Sequence, residues 1–213
     1  MPKYKLYSDP ETFVKKIGPC PKGSVRFLGL DLGSNCGVAI YDYRKQSGKL
    51  SLQQENLHLY QWDLSTKGLD SGAARFVRLR AFLALTAPDV IAYEDVKYSP
   101  PKAFFANKKF GIPAIMSRVA TSAEVIGGMK VTVATWAEEH KKICTGYAIA
   151  TIKKYATGSG RANKEDMIAA ANKSLGAAFD ASKYKSTGVD NVVDAAFILL
   201  MDIQKVRPAL VGE

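Results

Sequence analysis

The stretch that decides the fold is FLGLDLGSNCGVAIYD, residues 27–42. Its first part is an apolar run typical of a central β-strand, and Asp31 lies inside that run. A glycine-containing turn, GSNC, follows at residues 33–36 and precedes a second apolar run, so the pattern predicts a β-hairpin. A carboxylate inside a buried strand is costly unless a partner compensates its charge. Asp31 is therefore a candidate functional residue.

Outward from this hairpin, the chain alternates between strand-like and helix-like patterns. The strand-like segments are residues 24–32, 37–43, 49–64, 89–96 and 130–137. The helix-like segments are residues 70–87, 112–128, 163–176 and 190–205. Residues 138–160 mix helical stretches with basic loop and favour neither structure. This order predicts an α/β fold with a mixed five-stranded sheet, in which the first three strands are antiparallel and helices flank the sheet.

The composition favours one compact domain with a polyanionic partner. A chain of 213 residues with 47% apolar content supports one core, which we expect at residues 24–213 after a basic extension at residues 1–23. No window approaches 18 consecutive apolar residues, and the first residues lack the apolar region of a secretory signal, so neither a membrane span nor export is expected. Thirty Lys and Arg against twenty Asp and Glu give a net charge of +10, which favours nucleic acid or an anionic membrane as partner.

The cysteines predict reduced thiols in a cytosol-like compartment. Cys20, Cys36 and Cys144 are odd in number, widely spaced and without a CxxC pair, which argues against a disulfide framework and a zinc site. His140 and Cys144 have a spacing compatible with metal binding on a helix, but the sequence offers them no further ligands.

Acidic residues stand in three places that disfavour them. Asp31 lies in the first strand, Glu94 is near the end of VIAYEDV (90–96), and Asp190 and Asp194 share one face of the last helix. Without an adequate Cys or His set, such carboxylates suggest a hard cation, Mg²⁺ or Mn²⁺.

Each acid also has a purely structural interpretation. Asp31 could cap the glycine turn, Asp190 could cap the last helix, Asp194 could face solvent, and Glu94 could pair with a lysine. The combination of all four favours a metal site. The first hairpin is also similar to the first phosphate loop of the actin and sugar-kinase ATPases. That architecture needs two lobes and a second DxG phosphate loop followed by a glycine-rich turn, which 213 residues do not supply, so no nucleotide cofactor is expected.

Four segments in order carry a resemblance to a known family. They are GLDLGSNCGVAI (29–40), IAYEDV (91–96), TIKKYATGSGRANKEDM (151–167) and DNVVDAAFILL (190–200). Together they resemble the RuvC-like Holliday junction resolvases of the RNase H-like superfamily. The resemblance implies an RNase H-like fold and an endonuclease that makes paired symmetric nicks in four-way DNA junctions, leaving 5′-phosphate and 3′-hydroxyl ends.

The resemblance also implies roles for individual residues. Asp31, Glu94 and Asp194 correspond to metal ligands. The family's fourth acid stands three residues before the last one, a position occupied here by Asn191, so Asp190, which is four before, is the expected fourth ligand and Asn191 a possible helper through its carbonyl oxygen. Two Mg²⁺ ions roughly 4 Å apart would share the site, with Mn²⁺ as a substitute. Lys164 corresponds to a lysine that stabilises charge at the scissile phosphate.

The expected DNA contacts come from the basic and aromatic loops. They are Lys97, Tyr98, Phe104, Phe105, Lys108, Lys109, Lys153, Lys154, Arg161 and Lys164. The family places an aromatic residue three positions after the strand glutamate, but that position is Lys97 here, so Tyr98, Phe104 or Phe105 is the candidate to stack at the junction centre. The structural interpretation of these residues is a solvated basic face and loop aromatics that pack against the domain.

A four-way junction has two equivalent strands to cut, so a homodimer with one site per subunit is expected. The expected location is the cytoplasm or nucleoid, or the host cytoplasm for a viral protein. Two other functions remain open: another RNase H-like nuclease that acts on branched DNA or RNA–DNA hybrids, and a non-catalytic module that binds branched DNA.

Overall fold

The computed structural model of the protein describes residues 10–44, 57–65, 72–96 and 112–211. The strands are Ser24–Asp31 (β1), Asn35–Arg44 (β2), Leu57–Asp63 (β3), Val90–Glu94 (β4) and Ile143–Tyr147 (β5). The helices are Pro10–Ile17 (α1), Ala74–Thr86 (α2), Ile112–Glu139 (α3), Ile149–Thr157 (α4), Lys164–Leu175 (α5), Tyr184–Thr187 (α6) and Val189–Val211 (α7).

The five strands form one mixed sheet in the order β3-β2-β1-β4-β5. The first three strands are antiparallel, whereas β4 pairs in parallel with both β1 and β5. The α/β architecture, the number of strands and the antiparallel order of the first three strands are therefore confirmed. The sheet stays open, because β3 and β5 lie at opposite edges.

Alternation along β1 separates two hydrophobic cores, one on each face of the sheet. Phe27 points to a core shared with α4, α5 and α7, while Leu28 and Leu30 point to a core shared with α1, α2 and α3. All three side chains are at most 1% exposed, because β1 is the central strand and is covered on both faces. The strand alternation therefore assigns each side chain of β1 to one of the two faces.

Helix α7 lies unusually close to the sheet, because two glycines leave room for its backbone. A Cβ atom on Gly29 would collide with the Ala195 carbonyl oxygen, and one on Gly37 would collide with the Asn191 carbonyl oxygen. Gly29 is in β1 and Gly37 is in β2, so the helix crosses both strands where neither has a side chain. The glycines therefore set how close the start of α7 comes to the end of β1.

The prediction of a strand at residues 130–137 is wrong, because this segment belongs to the second half of helix α3. Its β-branched residues favour a strand locally, but the buried positions Met129, Val133, Trp136 and Ala137 recur at helical spacing, and packing on α2 decides the structure. Gly127 and Gly128 do not end the helix at residue 128 as predicted. Gly128 instead lies under the Phe76 ring of α2, where a Cβ would collide.

The fifth strand is Ile143–Tyr147, which falls in the segment that the sequence pattern left unassigned. Its pairing with β4 buries Tyr147, while Ile143 and Gly146 stay exposed, as expected at a sheet edge. The predicted third strand is confirmed at residues 57–63, and the remainder of that prediction lies outside the described residues.

The amino-terminal segment contributes one short helix to the core. Phe13 of α1 is fully buried, and its ring stacks on Tyr60 and Phe82 with centroids 4.8 and 6.2 Å apart. The division of the chain at residue 23 into an extension and a nuclease domain stays a prediction.

Candidate active site

Asp31 and Glu94 lie next to each other at the ends of two parallel strands. Leu30 of β1 pairs with Tyr93 of β4, so the next residue of each strand is one of the two acids. Strand alternation turns both acids to the face that α7 covers, because Gly29 and Ala92, two positions earlier, point to that face. Once the two strands are known to be parallel neighbours, the sequence alone predicts that both acids point to the same face of the sheet.

The second pair of acids comes from the first turns of α7. Asp190 and Asp194 are one turn apart, and Asp190 is 7% exposed. Gly37, whose missing side chain admits the backbone at Asn191, is the β2 residue that pairs with Asp31. The close approach of α7 therefore occurs beside Asp31 and brings the helix acids to the strand acids.

The acids repel each other in a buried setting. Burial raises the pKa of Asp31 well above its usual range, and the charges of Glu94, Asp194 and Asp190 and a side-chain hydrogen bond with Glu94 raise it further. Burial and the charges of Glu94 and Asp190 raise the pKa of Asp194 to about 7, although Lys153 and Lys164 partly oppose this rise. The site therefore favours any cation that compensates its negative charge.

Lys164 is a basic group in direct contact with one of these acids. It opens α5, whose start is fixed by a capping box in which the Asn163 side chain accepts from the Asp166 backbone N–H and the Asp166 carboxylate accepts from the Asn163 N–H. The ammonium group of Lys164 donates to the Asp190 carboxylate and lies 5.2 Å from the centre of the Tyr184 ring. Burial lowers the pKa of Lys164, but the hydrogen bond and the charge of Asp190 outweigh it and raise the pKa.

The donor chemistry of the site fits a hard divalent cation. Asp31, Glu94, Asp190 and Asp194 supply only carboxylate oxygens, the ligands that Mg²⁺ and Mn²⁺ prefer. Within the described ranges, however, no three His, Cys, Asp or Glu side chains stand in a ready ligating arrangement. Asp190 is held by Lys164 and Asp31 is hydrogen-bonded with Glu94, so ligation requires side-chain rotations at these residues. Charge and ligand type therefore fit the cation, and the rotamers differ from those of a ligating set.

The basic residues predicted to contact DNA fall into two groups. Lys154 and Arg161 are exposed, on α4 and on the turn after it, whereas Lys153 is half-buried and donates to the Ala162 carbonyl oxygen at 2.6 Å. Six other predicted residues lie outside the part of the chain that the structure describes: Lys97, Tyr98, Phe104, Phe105, Lys108 and Lys109. Asn191 lies on α7 between the two acids, with its backbone carbonyl against Gly37. The roles proposed for all these residues stay predictions.

The sequence pattern did not reveal two buried polar contacts, one at each end of the sheet. The Tyr147 hydroxyl donates to the Asp202 carboxylate at 2.6 Å and joins the end of β5 to α7. Asp202 is eight residues after Asp194 and 1% exposed, so its helical spacing from the two acids of α7 is a signal that could have found it. At the other end of the sheet, the fully buried Arg26 guanidinium donates to both Asp42 carboxylate oxygens, at 2.6 and 2.7 Å.

The cysteines are all free, as expected for reduced thiols. The side-chain nitrogen of His140 lies 2.8 Å from the Trp136 carbonyl oxygen, and its ring stacks on the Trp136 indole, so this histidine has a structural partner. Within the described residues, no helix has both the length and the apolar character that crossing a membrane requires.

The sheet order, the covering helices and the convergence of acids at the end of β1 define an RNase H-like fold, as the resemblance implied. Thermus thermophilus RuvC has a similar structure, with a TM-score of 0.53 and 19% identity over 88% of this chain and 97% of RuvC. T. thermophilus RuvC in complex with a Holliday junction substrate matches with a TM-score of 0.58 and 18% identity, over 87% of this chain and 96% of that one.

The yeast mitochondrial Holliday junction resolvase Ydc2 matches with a TM-score of 0.48 and 16% identity, over 89% of this chain and 81% of Ydc2. No protein-family model matches the chain, and no curated protein matches it. At these identities the two RuvC comparisons establish the fold alone.

Proposed function

We propose that the chain is a divalent-metal-dependent endonuclease that cuts four-way DNA junctions. The observation that carries the proposal is the meeting of Asp31, Glu94, Asp190 and Asp194 at one end of the sheet, with Lys164 beside them. The fold is shared with a RuvC whose structure includes a Holliday junction substrate. A protein that only binds DNA gains nothing from buried carboxylates close to phosphates, because like charges repel.

Asp31, Glu94 and Asp194, with Asp190 as the fourth acid, would hold two Mg²⁺ ions, and Mn²⁺ would substitute. When bound, the ions supply activation of a water molecule and neutralisation of charge at the leaving 3′ oxygen. The residues themselves supply the negative charge that attracts the cations, from the buried elements β1, β4 and α7. Release of Asp190 by Lys164 would free the ammonium group to stabilise the added negative charge on the phosphate.

The substrate contacts follow from charge and symmetry. Lys154 on α4 and Arg161 on the turn that leads to Lys164 present exposed positive charge, and the whole chain carries a net charge of +10. Two equivalent strands of a junction must both be nicked, which a homodimer with one site per subunit does most directly. The products would carry 5′-phosphate and 3′-hydroxyl ends, and the enzyme would act in the cytoplasm or at the nucleoid.

The test is cleavage of a labelled synthetic four-way junction with Mg²⁺, in parallel with duplex, flap and RNA–DNA hybrid substrates. The expected result is paired symmetric nicks in the junction alone. Asp31→Asn should lower the cleavage rate at least about 100-fold, because it removes a buried charge at the reacting centre. Glu138→Gln is the matched control, since Glu138 is an exposed carboxylate of α3, and it should cut at the wild-type rate.

The same assay separates the other two functions. Equal cutting of the hybrid would contradict the junction-resolving function and support an RNase H-type nuclease. Junction binding without cutting of any substrate, in Mg²⁺ and in Mn²⁺, would contradict a nuclease function and support a module that only binds branched DNA.

A further inference from the structure

A cavity of about 290 Å³ opens beside the turn that follows Asp31, and its lining combines polar groups with the apolar side chains of Val125 and Ile126. Gly33 and Ser34 of the β1–β2 turn form one wall, and Arg75 at the start of α2 forms another. Hydroxyl groups come from Ser34, Ser65, Thr121 and Ser122. Its volume is at the low end of ligand sites, which suits a small group rather than a large organic ligand.

Arg75 is a buried cation with few hydrogen-bond partners among the described residues. It is 7% exposed, yet among the described residues its side chain makes one hydrogen bond, from Nε to the Gly72 carbonyl oxygen at 3.1 Å, and no ion pair. Guanidinium has five N–H donors, and a buried charge is stable only with a compensating partner.

Arg26, a second buried arginine, has more hydrogen-bond partners than Arg75. Arg26 is also buried, but it donates twice to Asp42 and once each to the Gly18 and Thr86 carbonyl oxygens. Among the described residues, Arg26 therefore has four hydrogen bonds to acceptors, whereas Arg75 has one and lines a cavity. The cavity at Arg75 therefore has the character of an anion site.

The surroundings favour a phosphate as the anion. The planar guanidinium fork matches two oxygens of a phosphate, and hydroxyl groups supply further donors around it. Helix α2 begins at the cavity with no side chain capping its start, so its first N–H groups and the positive end of its dipole add to the attraction. None of the described residues that line the cavity is a carboxylate that would compete for the arginine.

We propose that this cavity binds a phosphodiester group of the nucleic-acid strand, next to the phosphate that is hydrolysed. Gly33 is two residues from Asp31, so the cavity opens near the same end of β1 as the acids. Such a contact fixes the register of the strand at the site and carries no base preference. This inference rests on the proposed nuclease function for its ligand.

The first experiment observes the wild-type protein without metal. In ¹⁵N-labelled protein with EDTA, the Arg75 Nε–H signal and the Gly33 and Ser34 amide signals should shift on addition of four-way junction DNA. Inorganic phosphate should shift the same signals at higher concentration, and sodium chloride at equal ionic strength should not. Absence of any shift with the junction would overturn the proposal.

The second experiment measures the salt dependence of junction binding in EDTA. Arg75→Gln should lower the slope of log K against log[salt] by about 0.9, the value for one lost phosphate contact on duplex DNA. Arg80→Gln is the control on the same helix, because Arg80 is exposed and paired with Glu139, and its slope should equal that of the wild type. Ser122→Val keeps the arginine but narrows the cavity, and it should weaken binding in the same direction.

The outcomes separate the cavity from the nuclease proposal, because neither readout requires cleavage. Shifts and a reduced slope in a protein that cuts no substrate would leave the cavity site standing and overturn the nuclease. Normal junction cutting with no shift would overturn the cavity site alone. Shifts with inorganic phosphate but an unchanged slope would identify a site for free phosphate and overturn the assignment to nucleic acid.

Discussion

Removal of one active-site acid should stabilise the metal-free protein while it abolishes activity. Asp194 has a pKa of about 7 in the folded protein, against an ordinary value of 3.8. Between these values the folded state binds more protons than the unfolded state, so the contribution of Asp194 to stability is present below pH 4 and is lost as the pH rises to about 7. A difference of roughly three pKa units corresponds to about 4 kcal/mol, an upper bound because the acids share the repulsion.

The variant Asp194→Asn removes this charge at nearly constant volume. At pH 8 in EDTA, we expect the free energy of unfolding to rise by about 2 kcal/mol, which for a chain of this size raises Tm by roughly 4–8 °C. At pH 4 the gain should vanish, because the native carboxyl group is then protonated. Added Mg²⁺ should stabilise the wild type and leave the variant unchanged.

The measurement is urea and thermal denaturation of both proteins at the two pH values, with and without Mg²⁺. Glu138→Gln is again the control, and it should stay within about 0.5 kcal/mol of the wild type throughout. A variant that is equal to or less stable than the wild type at pH 8, or a gain that does not change with pH, would refute the electrostatic reasoning.

Two further predictions concern the packing that supports the site. Arg26→Met leaves the Asp42 carboxylate buried without its cation and should cost about 3–5 kcal/mol in the free energy of unfolding, measured by urea denaturation; a cost below about 1 kcal/mol would contradict the buried ion pair. Gly37→Ala places a methyl group against the Asn191 carbonyl oxygen, so it should destabilise the protein by about 1–3 kcal/mol and reduce junction cleavage. Gly127→Ala, at an open position of α3, is the matched control and should stabilise by about 0.5–1 kcal/mol.

Local sequence patterns were sufficient for the hairpin and for the acids. Asp31 and Glu94 are visible because each interrupts a short apolar strand, and Asp190 and Asp194 because their spacing equals one helical turn. The prediction at residues 130–137 failed because Val131, Thr132 and Val133 carry a local strand preference that the packing of α3 on α2 overrides. No local pattern reveals that Gly128 admits an aromatic ring rather than ending a helix.

The electrostatic state of the site could not be predicted from the sequence, because it depends on contacts between residues that are distant along the chain. The pairing of Lys164 with Asp190 joins residues 26 positions apart, and it depends on where α5 begins relative to α7. Arg75 gives no periodic signal, because its significance is the burial of a cation without an anionic partner among the described residues, which only the packed fold defines.

The location of two acids on α7 also determines how long the site persists. Helix α7 spans 23 residues, and it is buried along most of its described length against β1, β2 and β4. Amide groups in such an element exchange with solvent mainly through global unfolding, whereas catalytic loops open locally and often. The backbone that carries Asp190 and Asp194 should therefore open about as rarely as the protein unfolds, while their side chains stay able to rotate.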